Sequence, residues 1–142
     1  MKIRIINGPN LNLLGVRETS VYGNVDFPTF FTQLQQKFPS CTLDYFQSNV
    51  EGELINSLHQ AGMDDSYTGI ILNAGGYTHT SVAISDAISS VKVPVVEVHI
   101  SNVYAREEYR HISLLAKNCK GVIAGFGLSS YELALRALLN NA

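Results

Sequence analysis

Glutamate, histidine, tyrosine and arginine recur near asparagine- and glycine-rich stretches of this chain, and together they suit proton transfer beside a bound anion. Glu97 and His99 flank Val98, and the period of two in a strand puts both on one side. A carboxylate that fixes an imidazole's tautomer makes a competent general acid or base, although such a pair can also be purely structural. Arg17 and Tyr22 lie in Gly15-Val16-Arg17-Glu18-Thr19-Ser20-Val21-Tyr22-Gly23-Asn24. That segment, at about 15–24, lacks helical period and is long for a connection, which suits a lid. A phenol ionises at about pH 10, so Tyr22 works as a base near neutrality only beside a cation such as Arg17. The alternative is that Tyr22 packs its ring while Arg17 pairs with Glu18 in water.

Other residues suit a ligand that is anionic and hydroxylated. Asn73-Ala74-Gly75-Gly76 bares backbone N–H groups ahead of a helix start, and Ile100-Ser101 offers N–H groups beside a hydroxyl. Asn7, Asn10 and Asn12 surround Gly8-Pro9; they are turn formers, yet an amide can also hold a carbonyl or an ordered water. His79, at a helix start, either faces the ligand or else caps the helix or lies in solvent, and Arg106 and Arg110 either reach the pocket or stay solvated. His59 and His111 are expected on helix surfaces without a role.

These residues need elements to hold them. Five β-branched or apolar runs recur at wide intervals: 3–6, 42–46, 69–73, 93–100 and 121–126. Between them lie helical patterns. Asp26 can cap a helix with Pro28 in its first turn and Phe27, Phe30, Phe31, Leu34 and Phe38 on one face. Leu54, Ile55, Leu58 and Ala61 precede Gly62, a C-terminal stop. A third helix spans 80–91 with Val82, Ala83, Ala87 and Ile88 inward, and a fourth spans 129–139 with Leu133, Ala134, Ala137 and Leu138 inward. Strand alternating with helix predicts a single α/β domain over 1–142: a flavodoxin-like, doubly wound, five-stranded parallel sheet with helices on both faces. In such sheets ligands bind beyond the carboxyl ends of the strands, which is where the residues above fall.

Composition narrows the function. The 142 residues are 46% hydrophobic and 15% charged, enough for one real core, and the net charge is −2. No basic tract suggests nucleic acid, no apolar run can span a bilayer, and the start reads as a strand rather than a signal peptide. Cys41 and Cys119 lack metal spacing, and the four scattered histidines point to no zinc site. A cytoplasmic protein follows as the expectation. Gly125-Phe126-Gly127-Leu128-Ser129-Ser130 resembles a dinucleotide loop but follows the last strand, so tight packing explains it better.

Read together, Asn7 to Gly15, Arg17-Glu18, Tyr22-Gly23, Leu72 to Ser81 and Glu97 to Asn102 resemble the type II 3-dehydroquinate dehydratases, in order and from Lys2 to about Leu139. The resemblance implies dehydration of 3-dehydroquinate to 3-dehydroshikimate in the shikimate pathway, by way of an enolate and with no cofactor, metal or Schiff base. On it, Tyr22 takes the C2 proton, Arg17 keeps Tyr22 ionised, and Asn10 holds the water that stabilises the enolate. His99 protonates the departing C1 hydroxyl and Glu97 orients His99. Asn73 and the N–H groups of Ile100 and Ser101 take the carboxylate, His79 and Arg110 the ring hydroxyls. Asp86 reaches a neighbouring subunit's site in a dodecamer of trimers. Ala105, Tyr109 and Ser130 depart from the usual pattern at positions of packing more than chemistry. From the residues alone, the rivals are a sugar-phosphate isomerase and a non-catalytic small-molecule-binding module.

Overall fold

A computed structural model describes residues 1–16 and 19–140, with backbone only at 21 and 22. Five strands form one all-parallel sheet: β1 (Lys2–Asn7), β2 (Thr42–Gln47), β3 (Gly69–Asn73), β4 (Val95–His99) and β5 (Gly121–Ala124). Their order is β2-β1-β3-β4-β5, so the chain reverses direction across the sheet between β1 and β3. This is the flavodoxin-like arrangement, and a crevice opens where the order reverses.

Among the described residues five α-helices accompany the strands: α1 (Thr19–Tyr22), α2 (Phe27–Lys37), α3 (Glu51–Gly62), α4 (Val82–Ser90) and α5 (Ser129–Asn140). α2 starts where the Asp26 carboxylate accepts from the Thr29 N–H at 2.8 Å, with Pro28 in the first turn. Its Phe27 stacks on Tyr45 at 4.6 Å between ring centroids and meets Tyr131 edge-on at 5.0 Å. α4 starts where the Ser81 hydroxyl accepts from the Ile84 N–H. The one-turn α1 falls inside the segment expected to lack helical structure.

Period two divides the strands between two cores. Ile3, Ile5, Ile71, Val96 and Val98 pack with Phe27, Leu34, Tyr131 and Leu135. Ile6, Ile70, Leu72 and Val95 pack with Leu54, Leu58, Ile84 and Ile88 on the other face. Two helix faces turn differently from expectation. In α4, Ile84, Ser85, Ala87 and Ile88 are buried while Val82 and Ala83 point outward. Ser85 takes a buried slot because its hydroxyl donates to the Leu114 carbonyl at 2.8 Å and accepts from the Asn118 amide. In α5, Tyr131, Ala134, Leu135 and Leu138 face inward and Leu133 lies at the surface beside Val122 and Phe126. Among the described residues no helix is long and apolar enough to cross a membrane.

Candidate active site

The carboxyl ends of β1, β3 and β4 surround a cavity of about 260 Å³. Close backbone approach shapes its floor. A Cβ on Gly8 would come within 2.5 Å of the Ala74 carbonyl oxygen, so only glycine lets the ends of β1 and β3 meet. Gly75, at φ +60°, turns the chain back into the 3-10 turn at Gly75–His79, and its N–H donates to the Asn73 side-chain oxygen.

Asn10, Asn73, His79, His99, Ile100, Ser101 and Arg110 all line this cavity, as does Arg106. Asn10 is left-handed at φ +69°, which asparagine tolerates, and its N–H donates to the Asn49 side chain at 3.0 Å. The Gln47 amide ties the same loop through the Gly8 carbonyl and the Asn12 side chain. His79 closes a 3-10 turn rather than opening α4; its Nδ1 lies 2.8 Å from the Ile112 carbonyl oxygen, which leaves Nε2 for a ligand. Its ring sits 6.4 Å from that of His99. Arg106 reaches the Ser101 hydroxyl at 3.4 Å, and Arg110 pairs with Glu107 at 2.7 Å.

Glu97 lies beneath the cavity, 1% exposed, and its Oε2 is 3.2 Å from His99 Nε2. The distance is that of an ion pair, but the direction misses the ring N–H axis, so Oε2 makes no aligned hydrogen bond among the described residues. Asn7 turns away from the cavity. Its side-chain oxygen accepts from the buried Tyr131 hydroxyl at 2.7 Å, which in turn accepts from the Asn73 side-chain amide at 2.8 Å. Burial drives the Tyr131 hydroxyl far above a tyrosine's ordinary pKa, so it bridges Asn7 and Asn73 as a neutral group.

Arg17 lies outside the described residues, and so does the Tyr22 side chain. Asp86 is exposed on α4 and does not line this chain's own cavity. His59 is on a helix surface as expected. His111 is not; it is half-buried after a 3-10 turn, with Nε2 3.1 Å from the Arg106 carbonyl oxygen. The turn at Gly125 to Ser130 packs as expected. The Gly127 N–H donates to the Ile100 carbonyl, and buried Ser130 accepts from the Phe126 N–H. Tyr109 is exposed and stacks under the Arg110 guanidinium, while Ala105 is exposed. Pro9, Leu11, Leu14 and Val103 complete the lining as an apolar wall that no charge pattern advertises.

Cys119 stands near Glu97. Burial first, and then the Glu97 charge, push its thiol from the ordinary 9.0 up to about 12. The unfolded chain therefore loses this proton at lower pH than the folded one. The stability that Cys119 contributes is present below pH 9.0 and is lost as pH rises towards about 12. A Cys119→Ala protein should show a flatter alkaline decline of its urea midpoint than the parent. A thiol reagent at about pH 8 should label Cys119 only after unfolding.

Among the described residues the lining holds two arginines, two histidines and two asparagine amides, and no carboxylate. A flavodoxin-like sheet with such a pocket at its switch point defines an α/β protein whose cavity is lined by cationic and amide groups next to a Glu–His pair. The family model for class II dehydroquinases matches residues 1–139, and the chain belongs to that family of enzymes. It is 56% identical over 142 residues to a 3-dehydroquinate dehydratase of an Exiguobacterium species, covering 99% of this chain and 96% of that one. It is 51% identical to the enzyme of that name from Caldicellulosiruptor saccharolyticus, covering 96% and 95%. The crystal structure of a type II dehydroquinase from Butyrivibrio crossotus superposes with a TM-score of 0.94 at 44% identity, covering 98% and 97%. A 3-dehydroquinate dehydratase-like protein from Bifidobacterium longum gives a TM-score of 0.72 at 29% identity, covering 99% and 96%.

Proposed function

We propose that this protein is a hydro-lyase of the shikimate pathway that converts 3-dehydroquinate to 3-dehydroshikimate through an enolate. The observation that carries the reading is the cavity itself: cationic and amide groups, with no carboxylate among the described lining residues, above a buried Glu97 that touches His99. A carboxylate substrate suits the N–H groups of Ile100 and Ser101 with Asn73, and ring hydroxyls suit His79 and Arg110. Tyr22 takes the C2 proton while Arg17, in the same lid, keeps its phenolate ionised. Asn10 holds the water that steadies the enolate oxygen. His99, oriented by Glu97, then protonates the C1 hydroxyl as it leaves. The reaction is run without metal or organic cofactor, in the cytoplasm. Asp86 completes a neighbour's site within a dodecamer built from trimers, an assembly that would also cover the exposed edge strand β5 with its Val122 and the nearby Phe126 and Leu133.

The test is direct. Purified protein mixed with 3-dehydroquinate should generate the ultraviolet absorbance of the conjugated enone, and a metal chelator should leave the rate unchanged. No lysine lines the cavity, so borohydride added with substrate should neither inactivate the enzyme nor add a substrate-sized mass to Lys2, Lys37, Lys92, Lys117 or Lys120. Absence of the enone, or a reduced adduct on any lysine, contradicts the proposal.

A further inference from the structure

We infer that Ser113 is a positioning residue that sets the orientation of Glu97, and through it of His99; the inference rests on the roles proposed above for that pair. A serine hydroxyl has one proton and two lone pairs. The Ser113 oxygen accepts from the N–H groups of Leu115 at 3.1 Å and Ala116 at 3.0 Å, which occupies both lone pairs. Its proton goes to Oε1 of Glu97 at 2.6 Å. Ser113 is thus committed as a donor, and the carboxylate oxygen it holds is the one that does not meet His99.

The consequence follows from burial. Glu97 is 1% exposed, so water cannot take over the work of fixing its carboxylate plane. With Oε1 held by Ser113, Oε2 lies 3.2 Å from His99 Nε2. Released from Ser113, the carboxylate is free to rotate about its last bond, and the imidazole loses a fixed partner. The segment that carries Ser113 is itself anchored on both sides. The Leu114 N–H donates to the Thr78 carbonyl at 2.9 Å, and the Ile112 carbonyl meets His79. Ser85 on α4 donates to the Leu114 carbonyl, and Asn118 returns to Ser85 at 2.9 Å. Among the described residues, the other titratable or charged groups facing the pair are His79, Arg106 and Arg110 across the cavity and Cys119 beside Glu97.

A double-mutant cycle on the dehydratase reaction tests this. Ser113→Ala should lower kcat at least about tenfold with little change in KM, because binding groups are untouched and only the proton donor's alignment is lost. Ser113→Thr, which keeps the hydroxyl, should restore most of the rate. Glu97→Gln should be slow, and Ser113→Ala in that background should add no further loss, since both changes act through one carboxylate. Where Ser113→Ala fails to fold, Ser113→Cys keeps the volume with a weaker donor and should show the same pattern. Full activity in a folded Ser113→Ala or Ser113→Cys protein, or losses that simply add to those of Glu97→Gln, overturns the Ser113 role while leaving the dehydratase reading intact. An inactive wild-type protein defeats both.

Discussion

A His99→Asn protein should fold, bind substrate and lose at least about 100-fold in kcat, the contribution typical of a positioned proton donor. His99 ends β4 with 7% of its surface exposed, on the wall of the cavity and 3.2 Å from Glu97. Asparagine is of comparable reach and keeps an N–H, but it cannot release a proton to a departing hydroxyl. The loss should therefore appear in kcat and kcat/KM together, with KM little changed, as for a group that acts only in the transition state. Steady-state kinetics with a thermal unfolding curve decide the point. Near-normal turnover in the folded variant would remove His99 from the proton path.

Tyr22→Phe should cost as much, at least about 100-fold, because it removes the ionisable oxygen and keeps the ring. Arg17→Ala should also be slow, but for a different reason: without the cation, Tyr22 returns towards the value of about 10 of a free phenol. Its rate should then recover in part as pH rises into that range, whereas Tyr22→Phe should not recover at any pH. Rate profiles against pH for the two variants separate these cases. Parallel, pH-independent losses would make Arg17 a positioning group only.

The sheet was legible because each strand is a short apolar run between helical patterns, and the β3 limits expected at 69 and 73 are the ones observed. Period two sufficed to put Glu97 and His99 together. Helix phase was harder. Val82, Ala83 and Leu133 are apolar enough to suggest an inward face, yet Ser85 occupies a buried slot through hydrogen bonds to Leu114 and Asn118, partners that no local pattern shows. The same limit hid Ser113, whose bond to Glu97 crosses from an aperiodic segment to β4. It hid Tyr131 as well, which reads as one more aromatic on α5 but joins Asn7 and Asn73 beneath the cavity. The polar cavity residues were readable because asparagine, histidine and arginine concentrate at strand ends; the apolar wall of Leu11, Leu14 and Val103 was not, because leucine and valine fit any core.

The central claim is that proton removal and hydroxyl departure are separate steps served by separate groups, and one isotope measurement addresses it. The His99→Asn protein would be incubated with 3-dehydroquinate in heavy water and followed by proton NMR. On the proposed roles, deuterium should wash into C2 of unreacted substrate while dehydration stays slow, because Tyr22 would still form the enolate and only the exit of the C1 hydroxyl would be blocked. Tyr22→Phe under the same conditions should show neither exchange nor product. Exchange that persists in Tyr22→Phe and vanishes in His99→Asn would contradict the account, because it would make His99 the base.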